Sequence, residues 1–315
     1  MDAAIETRGL KKHFGTVRAV DGLDLVVGTG EMLGLVGPDG AGKTTTIRML
    51  TGVIAPTAGS ATVLGHDLER EVDAIKPRIG YLSQQFSLYG DLSVDENIEF
   101  FASIHNVRDF RRRRDELLAF TRLTPFRRRL ADRLSGGMKQ KLALACTLIH
   151  KPELIFLDEP TTGVDPVSRR DFWLILADLL RQDITIVMTT PYLDEAERCT
   201  HVGLMYQGRL IRLDEPRRII EGLHGTLLQI RSAAPHEAYR AVRAEGRWAS
   251  AHLFGERLHV LAEDPEAATR DLTGLLAAAG IGDVEVQPVP PTLEDVFIEL
   301  ISRADTNHGN GDNHD

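Results

Sequence analysis

Residues 37–45 read GPDGAGKTT and satisfy the spacing G-x-x-x-x-G-K-[ST]. Binding a chain of phosphates needs these residue types at this spacing. Gly37, Gly40 and Gly42 let the backbone curl tightly, so that its N–H groups can point at phosphate oxygens. A helix that follows presents its positive N-terminal end to the same anion. Lys43 can reach the β- and γ-phosphates, and the Thr44 hydroxyl can ligate Mg²⁺. Gly37, Pro38, Asp39, Gly40, Ala41, Gly42, Lys43, Thr44 and Thr45 therefore form a candidate cradle for a nucleoside triphosphate. The loop by itself specifies the ligand class and not the reaction.

Two further segments add chemistry. Residues 154–160, LIFLDEP, are an apolar run that ends in adjacent carboxylates. Asp158 is placed to hold Mg²⁺ through its water shell, and Glu159 to polarise an attacking water as general base. Both acids are expected to be buried near the metal. Residues 134–142, LSGGMKQKL, place Ser135, Gly136 and Gly137 at the start of a helix. A serine and two bare backbone amides there make a second anion site. Two phosphate-binding loops in one chain imply a sandwich, in which the second loop meets the nucleotide of another copy.

These loops need rigid supports. Residues 32–37, 79–83, 154–158, 184–189 and 202–206 are short runs rich in Val, Ile and Leu, as buried parallel strands are. Residues 44–50, 94–105, 110–122, 136–150 and 167–181 read as helices between them. Such alternation predicts an α/β sheet with crossover helices, whose ligands bind at the carboxyl ends of the strands. The chain of 315 residues has room for about two domains. Its charge divides it: the net charge of −9 falls almost wholly after residue 222, and no lysine follows Lys151. The apolar share of 43% excludes a disordered chain. Two cysteines, Cys146 and Cys199, supply neither a disulfide framework nor a CxxC metal pair. The first residues show no secretory pattern, and no stretch approaches the ~18 apolar residues of a membrane span.

The order and spacing of these elements over residues 5–222 resemble the ATP-binding subunits of ABC transporters. Residues 37–45 match the family's Walker A, residues 134–138 its LSGGQ signature with Met138 in the glutamine position, and residues 154–159 its Walker B. Gln84, in YLSQ, looks like the glutamine that senses Mg²⁺ and the transmembrane partner, which makes it a catalytic and metal candidate. Residues 163–165, GVD, look like the D-loop, and Phe14 like the aromatic that stacks on adenine. The resemblance implies an ABC ATPase fold of the P-loop NTPase class, α/β. Its parts are a RecA-like core, an N-terminal antiparallel β subdomain and a helical subdomain around residues 90–150. It also implies ATP and Mg²⁺ as ligands and a head-to-tail pair of ATP-binding domains, identical or not. A separate transmembrane permease subunit and a place on the cytoplasmic face of the membrane follow from it too. A soluble ABC protein acting on ribosomes or DNA is the rival. Such chains carry two ATP-binding domains or a long coiled-coil insertion, whereas this chain has one P-loop, one signature and no heptad run.

One departure stands out. In ITIVMTTPYLDEA, residues 184–196, Pro191 occupies the place where the family has a histidine that contacts the γ-phosphate. Proline has neither a donor nor a titratable group. Thr190 and Tyr192 are not obvious replacements, although a hydroxyl could bond a phosphate. Either hydrolysis is weakened, with Glu159 and Lys43 sufficient for slow turnover, or the chain pairs with a non-identical ATP-binding domain whose histidine is intact.

Beyond the motifs, residues 223–304 read as βαββαβ plus a last helix, a small C-terminal α+β domain of ferredoxin-like order. Its strands are residues 226–231, 248–254, 257–262 and 283–288. Its end, PTLEDVF, resembles the extension of type-2 ABC exporters, which include drug-resistance and antibiotic self-resistance pumps. Residues 305–315 read as a structureless tail. Residues 108–133 hold ten arginines against four acids, a basic face suited to anionic headgroups or a partner's acidic loops. Nucleic acid is not expected as a partner. Reversing Arg111, Arg112, Arg113 and Arg114 to glutamate should weaken recovery in membrane fractions; unchanged association would remove that assignment.

Overall fold

A computed structural model of the chain describes residues 3–84, 88–248 and 250–309. The chain divides into two compact units, Met1–Pro216 and Arg217–Asp315, so the division falls ahead of the expected 222/223. The charge shift lags the division because the first residues past it, RRIIE, are not yet acidic overall.

Two twelve-residue strands, β1 (Ala3–Phe14) and β2 (Val17–Gly28), open the first unit as an antiparallel pair. β3 (Met32–Val36) is buried along its whole length, and a loop leads from it into α1 (Lys43–Leu50). β4 (Ala58–Val63) and β5 (His66–Asp67) return to the first sheet, whose order is β2-β1-β4-β5. After the one-turn α2 (Val72–Ile75), β6 (Ile79–Leu82) starts a helical excursion: α3 (Val94–Ile104), α4 (Phe110–Phe120) and α5 (Gly136–Leu148). Ser93 and Glu96 close a capping box that fixes the start of α3. Next come β7 (Leu154–Asp158), α6 (Pro166–Leu180), β8 (Thr185–Thr190), α7 (Leu193–Ala196), β9 (His201–Tyr206) and β10 (Arg209–Asp214). The second sheet has the order β10-β9-β3-β8-β7-β6, parallel except at β10. In its register Val36 pairs with Thr190, and Asp158 pairs with Thr189. The ends of β3, β8 and β7 therefore lie side by side, with β8 between the phosphate loop and the paired acids. This is the α/β core, antiparallel β subdomain and helical insertion that the sequence predicts.

The arginine run is partly internal bracing. Arg114 is 14% exposed and faces Asp95 and Asp115, each at 3.6 Å. Arg127 bonds the same two acids at 2.9 and 3.0 Å. Arg112, 87% exposed, pairs with its helix neighbour Glu116. A charge reversal that probes the surface rather than the α3–α4 packing is therefore confined to Arg111 and Arg112.

α8 (Pro216–Glu221) leads into the second unit. β11 (Thr226–Arg231), α9 (Pro235–Ala244), β12 (His252–Phe254), β13 (Arg257–Ala262), α10 (Pro265–Ala278) and β14 (Glu285–Val289) follow. The antiparallel sheet order β12-β13-β11-β14 is the ferredoxin-like one. Its core joins Leu228, Ile230, Val242, Leu258, Val260 and Leu272. The strand expected over residues 248–254 shortens to His252–Phe254, because Ala251 N turns back onto Trp248 O at 3.0 Å. α11 (Leu293–Gly309) carries helix into the stretch expected as tail; residues 304–308 contain no glycine or proline to stop it. Residues 310–315 lie outside the described residues. No described helix is long and apolar enough to cross a membrane.

At the start of α11, Asp295 accepts hydrogen bonds from Thr292 N at 2.8 Å and Thr292 Oγ1 at 2.7 Å, and His259 Nδ1 lies 2.7 Å from its other oxygen. Burial pushes this carboxyl up, but the bonds from His259 and Thr292 outweigh burial and hold it below the ordinary range. A folded pKa below the unfolded value of about 3.9 gives stability that is present at neutral pH and lost as pH falls through the folded value. The second unit should thus lose stability below about pH 4. Asp295→Asn should flatten that acid limb, followed by Trp248 fluorescence in a Trp173→Phe background. An acid limb unchanged by Asp295→Asn would contradict this assignment.

Candidate nucleotide site

The phosphate loop is held by close backbone approaches. A Cβ on Gly37 would collide with the Met205 carbonyl oxygen, and one on Gly42 with that of Ala19. Gly42 also sits at φ +100°, and it opens α1 with no side-chain cap. The loop is thereby fastened to β9 on one side and to the β1–β2 hairpin on the other. Gly208 N donates to Ala41 O at 3.1 Å, and Gly208 O accepts from Asp21 N at 2.8 Å, which completes the clasp.

Lys43 is 4% exposed, and its Nζ donates to Gly37 O at 2.8 Å and Pro38 O at 3.1 Å. Glu159 Oε1 lies 3.8 Å from the same ammonium. Asp158 is 1% exposed; its Oδ1 accepts from Thr44 Oγ1 at 2.9 Å and from Thr189 Oγ1 at 2.7 Å. Its Oδ2 is buried and has no hydrogen-bond partner among the described residues. A buried carboxylate oxygen left open beside a threonine hydroxyl is the donor set that a hard divalent cation takes, so these residues fit Mg²⁺. Glu159 is more accessible than Asp158. Its backbone adopts φ +48°, its N–H donates to Thr189 Oγ1 at 2.9 Å, and its Oε2 accepts from Gln84 Nε2 at 2.9 Å.

Phe14, Asp39, Gly40, Ala41, Gly42, Lys43, Thr44, Thr45, Gln84 and Glu159 line one cleft of about 650 Å³. Gly37 and Pro38 lie at its base as acceptors of Lys43. Phe14 is 52% exposed, and Lys12 Nζ lies over its ring, 5.1 Å from the centroid. Ser135, Gly136 and Gly137 do not line this cleft. Ser135 caps α5 by accepting from Met138 N, and Gly137 packs so tightly on Ser168 that no side chain would fit. Ser135 and Gly136 face outward. The GVD segment lies directly behind them: Asp165 caps α6 through Val167 N and Ser168 N, and these bonds, those to Ser168 foremost, hold its carboxyl below the ordinary range.

The chain matches the ABC transporter family over residues 20–162. It is 37% identical over 304 residues to the Nod factor export ATP-binding protein I of Rhizobium sp. strain N33, covering 95% of this chain and 97% of that one. The chain belongs to the ABC transporter ATP-binding proteins. It is also 40% identical over 313 residues to the probable multidrug ABC transporter ATP-binding protein YbhF of Escherichia coli K12; that match takes in 97% of this chain but 53% of the relative, so the chain spans about half of that protein's length. Among solved structures, cbiO1 from Clostridium perfringens, part of the ABC transporter complex cbiONQ, superposes with a TM-score of 0.65 at 25% identity, over 70% of this chain and 92% of that one. A dimeric bacterial ABC transporter cassette gives a TM-score of 0.62 at 25% identity, over 67% and 98%.

Within this ABC ATP-binding chain, several residues at the site carry no motif. Val17, Arg18 and Gln207 line the cleft, and Thr189 serves both acids. The Gln207–Gly208 dipeptide, with both residues at positive φ, is a turn signal that could have flagged the β9–β10 corner. Thr190 is engaged elsewhere: its hydroxyl donates to Glu195 at 2.9 Å and accepts from Tyr192 N at 3.1 Å. It is thus not a free donor replacing the histidine absent at Pro191. Thr189→Val should leave Asp158 Oδ1 with Thr44 alone and the Glu159 amide with only the longer bond to the Thr189 carbonyl, at 3.2 Å. That change should cost about 1–3 kcal/mol of stability and weaken binding of Mg²⁺-ATP, read by urea unfolding and calorimetric titration. Unchanged stability and affinity would show that Thr189 does not hold the acids.

Proposed function

We propose that this chain binds ATP with Mg²⁺ and hydrolyses it to drive a membrane exporter whose transmembrane path is a separate subunit. The observation that carries this reading is the convergence of Lys43, Thr44, Asp158 and Glu159 at one sheet edge, under a cleft walled by Phe14. Thr44 Oγ1 and Asp158 would hold the metal, and Gln84 stands beside them. When bound, Mg²⁺ withdraws charge from the phosphate oxygens. Lys43 exchanges the Gly37 and Pro38 carbonyls for phosphate oxygens, and the loop amides and the α1 terminus add partial positive charge. Glu159 accepts the proton of the attacking water, while Gln84 orients its carboxylate.

Ser135, with the Gly136 and Gly137 amides, forms an outward-facing helix start that its own cleft does not use. A second ATP-binding domain set head to tail would bring that surface to the other nucleotide. The loop after β8 offers no histidine, and Thr190 is already bonded. We therefore read the chain as one half of an asymmetric pair, with slow hydrolysis of its own. The exporter names of the similar proteins support export as the purpose, and the second unit serves interaction or regulation.

The purified chain should show slow, Mg²⁺-dependent ATPase activity. Glu159→Gln should lower it by at least about a hundredfold, the usual range for a lost general base. Pro191→His should raise it. Robust wild-type turnover that Pro191→His does not raise would count against the asymmetric pair, and turnover unaffected by Glu159→Gln would overturn the assignment of the base.

A further inference from the structure

Glu195 is 1% exposed, and its partners come from three different segments. Thr161 Oγ1 donates to both of its oxygens, at 2.7 and 2.8 Å, and Thr190 Oγ1 donates to Oε2 at 2.9 Å. Arg169 Nε forms an ion pair with Oε1 at 3.5 Å. Thr161 lies two residues after Glu159, Thr190 ends β8 beside Pro191, and Arg169 belongs to the start of α6, just past the GVD segment. The Arg169 guanidinium also covers the Tyr192 ring at 4.9 Å. Burying a carboxylate is costly, and only a full set of donors offsets it. α7 spans four residues, so this carboxylate and not helix formation ties the segment down.

The arrangement bears on Glu159. A non-glycine residue at φ +48° is held there only when its surroundings over-determine it. Upstream, the Glu159 amide is fixed by Thr189. Downstream, the next side-chain anchor is Thr161, whose hydroxyl goes to Glu195. Thr189 and Thr190 are neighbours in one strand and point to opposite faces. One serves Asp158 and the Glu159 amide; the other serves Glu195. The turn that carries the candidate base is thus braced from both faces of β8.

We propose that Glu195 is a positioning residue for Glu159. It locks the turn after Glu159, the end of β8 and the start of α6 into one unit, and so fixes the aim of the Glu159 carboxylate. In this chain the loop after β8 acts on hydrolysis through a buried carboxylate rather than through a side chain at position 191 that faces the phosphate. The proposal rests on the hydrolytic reading of the cleft.

The test compares steady-state ATPase kinetics and ATP binding for Glu195→Gln, Thr161→Val and Thr161→Ser in the full chain. Glu195→Gln and Thr161→Val should lower kcat on the order of tenfold or more, as misplacement of a catalytic group does, with KM and ATP affinity held within about twofold. Thr161→Ser keeps the hydroxyl and should restore wild-type kcat. If Glu195→Gln does not fold, the two Thr161 variants still decide. Unchanged kcat in Thr161→Val, a KM that rises in step with the fall in kcat, or a Thr161→Ser as slow as Thr161→Val would overturn the proposal. A wild-type chain without turnover would instead overturn the hydrolytic reading, and the proposal with it.

Discussion

The Asp158 carboxylate, buried at the end of β7, is the interaction on which the rest of the site depends. It cannot sit there without donors, and the two it has come from α1 and β8. Each bond ties a different element to the same point. Thr44 brings the start of α1, and with it the phosphate loop; Thr189 brings the strand that lies between. The sheet order makes this possible, because β8 separates β3 from β7 and its end stands level with both. The second oxygen, buried and without a partner among the described residues, is the one we propose for the metal of a bound nucleotide.

Around that point the chain uses backbone where a side chain would be too large, and hydroxyls where a charge would be too costly. Gly37 and Gly42 let the loop press against the Met205 and Ala19 carbonyls, so the cradle is set by strands rather than by its own flexibility. Thr44, Thr161, Thr189 and Thr190 supply neutral donors to two buried acids, Asp158 and Glu195. The signature helix follows a different logic. Ser135 and Gly136 face away from the cleft, and we propose that this surface meets a second ATP-binding domain.

Much of this was legible in the sequence, and the reason is local. Strands buried on both faces are continuous apolar runs, so residues 154–158 were bounded correctly and the other parallel strands to within a residue or two. The P-loop glycines, Asp158 and Glu159 announce themselves by order along the chain. Residues 3–14 and 17–28 carry no clear strand signal, since their bulged register interrupts the alternation. Thr189 and Glu195 cannot be picked out from the sequence, because their partners lie 31 and 34 residues away and no spacing rule connects them. Arg18 and Gln207 reach the cleft only through the hairpin and the β9–β10 corner, contacts that exist after folding and not before. The arginine run misled in the other direction: composition made it a surface, and Arg114 and Arg127 turn out to brace α3 against α4.

The most direct measurement is calorimetric titration of ATP into the chain with and without Mg²⁺, for the wild type and for Asp158→Asn. If Asp158 organises the site as described, Mg²⁺ tightens ATP binding to the wild type, and Asp158→Asn abolishes that gain while leaving the weaker metal-free binding in place. An equal gain from Mg²⁺ in both proteins, or no ATP binding by a folded wild-type chain, would contradict it.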